Sequence, residues 1–74
     1  MDKNITKGEF QAIVNYALTE LTKEELALEF SNSLTTIRRW SEGKSAPVES
    51  IRGLIADKIG IMQTIKRCKE KEND

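Results

Sequence analysis

Apolar residues recur at helical spacing along most of the chain. Phe10, Ile13, Val14, Ala17, Leu18 and Leu21 fall at i, i+3, i+4, i+7, i+8 and i+11. That stripe belongs to an amphipathic helix, and the pattern predicts one over about 6–19. Leu26, Ala27 and Phe30 form a narrower apolar face after it, and Ile37 and Trp40 mark the inward side of a third helix. Val48, Ile51, Leu54, Ile55 and Ile59 are the expected inward residues of a fourth helix over about 48–59. Helical spacing returns over 61–68, beyond Gly60, which either ends the fourth helix or weakens it. No useful stretch alternates with period two, so no strand is expected. The predicted class is all-α, with about five short helices.

The polar residues between the stripes supply starts and stops. Thr22 is placed to cap the N–H of Glu25, whose side chain can reach back to the N–H of Thr22. Leu21 and Leu26 flank that cap as a hydrophobic staple. Ile5, Thr6, Glu9 and Phe10 repeat the same grammar at the first helix. Ser31-Asn32-Ser33 interrupts the apolar pattern; Ser33 is a good N-cap for the next helix, and Gly43 stands where a left-handed stop is expected. A capped helix, a tight turn, a second capped helix and a glycine stop describe a helix-turn-helix over about 22–43. Its turn needs one residue with positive φ: Asn32, which tolerates that region, or Ser31 at some cost. Lys44 to Pro47 reads as a linker, with Pro47 suited to the first turn of the next helix. Gly53 falls mid-helix at a cost of roughly 1 kcal/mol against Ala, and close approach of another helix is one reason to keep it. Residues 1–5 read as a short arm, and the charged stretch 69–74 is expected to fray.

Composition narrows the chemistry. Seventy-four residues make room for one domain, 1–74, with a small core. One cysteine and no histidine rule out the usual zinc ligand sets and the serine–histidine and cysteine–histidine nucleophile pairs. No catalytic constellation, cofactor or small-molecule site is expected. Glu24, Glu25 and Glu29 are explained by capping and solvation, Cys68 by a half-buried thiol, and Trp40 by the core. No apolar run reaches membrane length and no leader pattern opens the chain, so a cytoplasmic location is expected. Twelve basic and twelve acidic residues cancel, so any affinity for nucleic acid must come from where charges sit.

Leu21-Thr22, Glu25-Leu26-Ala27, Ser33, Thr36-Ile37, Arg39-Trp40, Gly43-Lys44 and Pro47 resemble the Cro/repressor (XRE-type) helix-turn-helix family of bacterial and phage regulators. The resemblance covers 21–60, more than half of the chain. The chain departs from that family at Ser31, usually Gly; at Lys23, often Gln; and at Asn32, usually hydrophobic. The resemblance implies sequence-specific binding of double-stranded DNA, as in a small bacterial or phage repressor that occupies an operator. The second helix of such a motif reads base edges in the major groove. Leu34, Thr35, Arg38 and Arg39 take those positions: arginine can bond guanine O6 and N7, while leucine and the threonine methyl can touch thymine. Lys23, Ser33, Thr36 and Lys44 suit phosphate contacts. A homodimer is expected, with Ile61, Met62 and Ile65 as its contact, because they exceed what a small core needs. Leu28 also falls off the apolar face.

Three competing explanations stay open. Arg38 and Arg39 could form an ordinary solvated helix face, the motif could bind another protein rather than DNA, as an antitoxin-like module or a partner of another regulator, or the domain could be purely structural. A face shared by Lys23, Arg38, Arg39 and Lys44, free of Glu24 and Glu29, favours DNA; a carboxylate within it favours a protein partner.

Overall fold

The computed structural model describes residues 5–72. Among them are four α-helices and no strand: α1 (Lys7–Ala17), α2 (Lys23–Glu29), α3 (Leu34–Glu42) and α4 (Glu49–Glu72). Helix α1 is central, packing on both α3 and α4, while α2 packs on α3. Their shared core contains Phe10, Val14, Ala17, Leu21, Leu26, Ala27, Ile37, Trp40, Ile55 and Ile59. Trp40 meets the edge of Phe10 at a ring-centroid distance of 5.3 Å and an interplanar angle of 77°, a geometry that suits the aromatic quadrupole.

The starts of α1 and α2 are reciprocal capping boxes. Thr6 Oγ1 accepts from the Glu9 N–H at 3.1 Å, and the Thr6 N–H donates to Glu9 Oε1 at 2.9 Å. Thr22 and Glu25 do the same at 3.1 and 2.8 Å. Each box satisfies two N–H groups that the helix start leaves unpaired.

Helices α2 and α3 end by the same closure on different residues. The Asn32 N–H donates to the Ala27 carbonyl at 2.9 Å and the Ser31 N–H to Leu28 at 3.4 Å. The Lys44 N–H donates to Arg39 at 3.0 Å and the Gly43 N–H to Trp40 at 3.2 Å. Both closures need a left-handed residue, supplied by Ser31 (φ 54°) and Gly43 (φ 76°). Of the two turn candidates, Ser31 therefore carries the positive φ. Gly43 is also confined sterically, because a Cβ there would lie 2.7 Å from Gln11 Oε1.

Helix α4 departs most from the sequence expectation. In place of two helices broken near Gly60, one helix of 24 residues continues through it. Ile59 is fully buried and Gln63 Nε2 donates to Glu20 Oε1 at 2.6 Å, so the segment is held on both sides of the glycine. The charged end is helical as far as Glu72; residues 1–4 of the expected arm and 73–74 of the expected frayed end lie outside the described residues. Val48, Ile51 and Leu54, expected inward, are exposed. The buried face instead runs through Arg52, Ile55, Ile59 and Gln63, at i, i+3, i+7 and i+11. Arg52 sets that phase: its Nε donates to the Pro47 carbonyl at 2.9 Å and its Nη1 to the Ile5 carbonyl at 2.6 Å. Pro47 thus precedes α4 rather than lying in its first turn.

A second clamp holds α4 to the end of α1. Arg67 grips Glu20 with two hydrogen bonds, from Nε at 2.7 Å and Nη2 at 2.6 Å, and reaches Tyr16 Oη at 3.0 Å. The Arg67 guanidinium, with help from Gln63, holds the Glu20 carboxyl below the usual glutamate range, and the contacts with Glu20 and then Tyr16 raise Arg67.

Candidate nucleic-acid interface

The candidate site is the exposed side of α3, and its placement begins with its cap. Ser33 Oγ accepts from the Thr36 N–H at 3.2 Å and lies 3.1 Å from Thr36 Oγ1. The cap fixes where the helix starts, and the burial of Ile37 and Trp40 fixes its rotation. At 100° per residue, Thr35, Arg38, Arg39 and Glu42 then point away from the core, with Leu34 at the edge. All five are exposed, Leu34 at 48%. From α1, Gln11 Nε2 and Asn15 Nδ2 both donate to the Ser41 carbonyl, at 3.2 and 3.0 Å. They tie the last turn of α3 to the central helix, so the exposed side is presented on a rigid support.

The expected base-contact residues Leu34, Thr35, Arg38 and Arg39 are thus brought together on one face. Neither arginine forms an ion pair among the described residues. The expected phosphate-contact residues are more scattered. Ser33 is exposed at the start of α3, with its oxygen engaged in the cap. Thr36 is half-buried and bonded to Ser33. Lys23 is exposed at the start of α2. Lys44, beyond the C-terminal end of α3, lies 3.5 Å from Glu42 Oε1.

The acidic residues divide. Glu29 and Glu25 are drawn towards α4, at 3.2 Å from Lys58 and 3.5 Å from Lys66. The Thr22 backbone N–H chiefly holds Glu25 below the usual glutamate range, and Lys66 adds to that. Glu24 is exposed on α2. Glu42 lies on the outward side of α3 itself, about 12 Å along the axis from Leu34. Along α3 the face therefore runs from uncharged Leu34 and Thr35, through Arg38 and Arg39 in the middle, to one carboxylate at its far end.

The expected dimer residues do not form one surface. Met62 is half-buried and packs on the core, whereas Ile61 and Ile65 are about half exposed. Leu28 is 84% exposed on α2. Among the described residues no group of three or more His, Cys, Asp and Glu could hold a metal ion, and no helix is long and apolar enough to cross a membrane. Sequence reasoning missed the bond from Arg52 to Ile5 and the Gln63–Arg67–Glu20 clamp, which join residues more than forty positions apart along the chain. The chain matches no family model, no curated protein and no solved structure.

Proposed function

We propose that this chain is a sequence-specific DNA-binding regulator of the helix-turn-helix, Cro/repressor kind, with α2 and α3 as the motif and α3 as its reading helix. The observation that carries this is the exposed face of α3: two adjacent arginines with no ion pair among the described residues, beside Leu34 and Thr35, behind a capped N-terminus, on a helix locked by its Trp40 side. Arginine can read guanine bidentately and the aliphatic groups can read thymine methyls. Backbone N–H groups at the helix start, with Ser33 and Lys23, suit phosphate oxygens. Such a chain would act by occupying its operator.

A second reading, docking of another protein on the same motif, is favoured by one observation: Glu42 occupies the far end of the α3 face and shares the charge of Lys44. The two separate on titrating isotope-labelled protein with a mixed-sequence duplex at low salt and following backbone amide resonances. DNA binding predicts shifts concentrated at 33–39. Resonances that stay in place throughout α3 would refute it.

A further inference from the structure

From α1 to α3, every carboxylate but one has a structural explanation. Glu9 and Glu25 complete capping boxes, and Glu24 lies in the first turn of α2, where the helix dipole favours an acid. Glu20 is held by Arg67 and Gln63, and Glu29 pairs with Lys58 at 3.2 Å. Glu42 is the exception. It is the last residue of α3, at the negative end of the dipole, where an acid weakens the helix. It is exposed, on the same outward side as Arg38 and Arg39. Its one ion pair among the described residues is with Lys44, at 3.5 Å. The helix stop sets up that pair. Gly43 turns left-handed at φ 76°, and the Lys44 N–H returns to the Arg39 carbonyl at 3.0 Å. Lys44 is thereby rooted against the last turn of α3, within reach of Glu42.

We propose that Glu42 is an internal counter-ion of the DNA site. In the free chain it occupies Lys44; on binding, Lys44 exchanges that carboxylate for a backbone phosphate. This rests on the DNA reading above and concerns regulation of the same face. Glu42 lies about 12 Å along α3 from Leu34, and the major groove of B-DNA is itself about 12 Å wide. A helix that brings Leu34 and Thr35 to base edges therefore carries its last turn towards the phosphate wall. Lys44 meets a phosphate there, and Glu42 is repelled. A lysine that neutralises a phosphate ordinarily releases a condensed cation from the DNA, which steepens the salt dependence of binding. Lys44 differs, because the carboxylate it leaves takes up a cation from solution. The exchange then releases almost no cation in total. Glu42 thus lowers affinity for every duplex alike and leaves sequence selection to Leu34, Thr35, Arg38 and Arg39.

Fluorescence anisotropy of the full chain with a labelled mixed-sequence duplex, over about 50 to 200 mM potassium chloride, tests the exchange. Wild type, Glu42→Gln, Lys44→Gln and the double variant are compared. At the low-salt end Glu42→Gln should bind about twofold to fivefold more tightly than wild type, the range of an exposed ion pair. Its log–log salt slope should be steeper by about 0.9, one added phosphate contact, so that the advantage shrinks roughly threefold by the high-salt end. In the Lys44→Gln background the same Glu42→Gln change should leave the slope as it was. Both side chains are exposed, so thermal melting should stay near that of the wild type, and Glu42→Ala repeats the test should the glutamine variant fold poorly. An equal slope in wild type and Glu42→Gln, or a steepening that persists without Lys44, overturns the counter-ion role. A wild type that binds no duplex at low salt removes the DNA reading itself, and this inference with it, so the two failures are distinct.

Discussion

Ser31 and Gly43 perform the same task, yet only one of them is suited to it. Each closes a helix in the left-handed region, where a side chain with a Cβ is strained by roughly 1–2 kcal/mol. Ser31→Gly should therefore stabilise the domain by about 1 kcal/mol after the greater chain entropy of glycine is allowed for. Thermal denaturation should show the melting temperature rising by roughly 4–8 °C. An unchanged or lower value would mean that the Ser31 side chain compensates its own backbone. On the α3 face, Arg39→Ala should cost about 1–3 kcal/mol of discrimination at one base pair, with little loss of fold because Arg39 is exposed. Competition binding with single-base operator variants measures it; a base preference unchanged by the substitution would remove Arg39 from the reading set. Residues whose role is local were legible in the sequence. Thr6, Thr22 and Ser33 cap within three residues, and Gly43 stops its own helix, so adjacent residues contain the whole interaction. The bonds from Arg52 to Ile5 and from Gln63 to Glu20 were not legible, because they span 47 and 43 residues.

Among the elements, α4 shows what periodicity cannot decide. It has one stripe through Arg52, Ile55, Ile59 and Gln63 and a more apolar one through Ile51, Leu54, Ile61 and Ile65. Hydrophobicity alone favours the second, whereas two hydrogen bonds from Arg52 and the Glu20 clamp turn the first inward. Gly60 misled for a related reason: its helix penalty is small beside the packing that holds α4 on either side. A Cβ at Gly60 would meet nothing within 4 Å, so Gly60→Ala should stabilise by about 0.5–1 kcal/mol in chemical denaturation. A loss of stability would show that the helix needs its glycine. Attachment of α4 to the rest is also pH-dependent. Glu20 and Glu25 both titrate below the usual glutamate range when folded. Their contribution is therefore present above the unfolded glutamate pKa and is lost as pH falls through the lowered folded values. Melting temperature should fall on acidification below about pH 4.5, and Glu20→Gln should flatten that fall. An equally steep fall in the variant would exclude Glu20 as a contributor.

For the whole molecule, zero net charge conceals a division of labour. Lysines of α4 engage two of the glutamates of α2, while the arginines of α3 form no ion pair among the described residues. That division places local basic character on the α3 face without making the chain basic. Selection of bound duplexes from a random pool, by the wild type and by Arg39→Ala in parallel, tests the proposed function most directly. Enrichment of one short motif by the wild type, with its preference relaxed at a single position in the variant, is the predicted result. A wild-type pool that remains random after repeated rounds at moderate salt would contradict it.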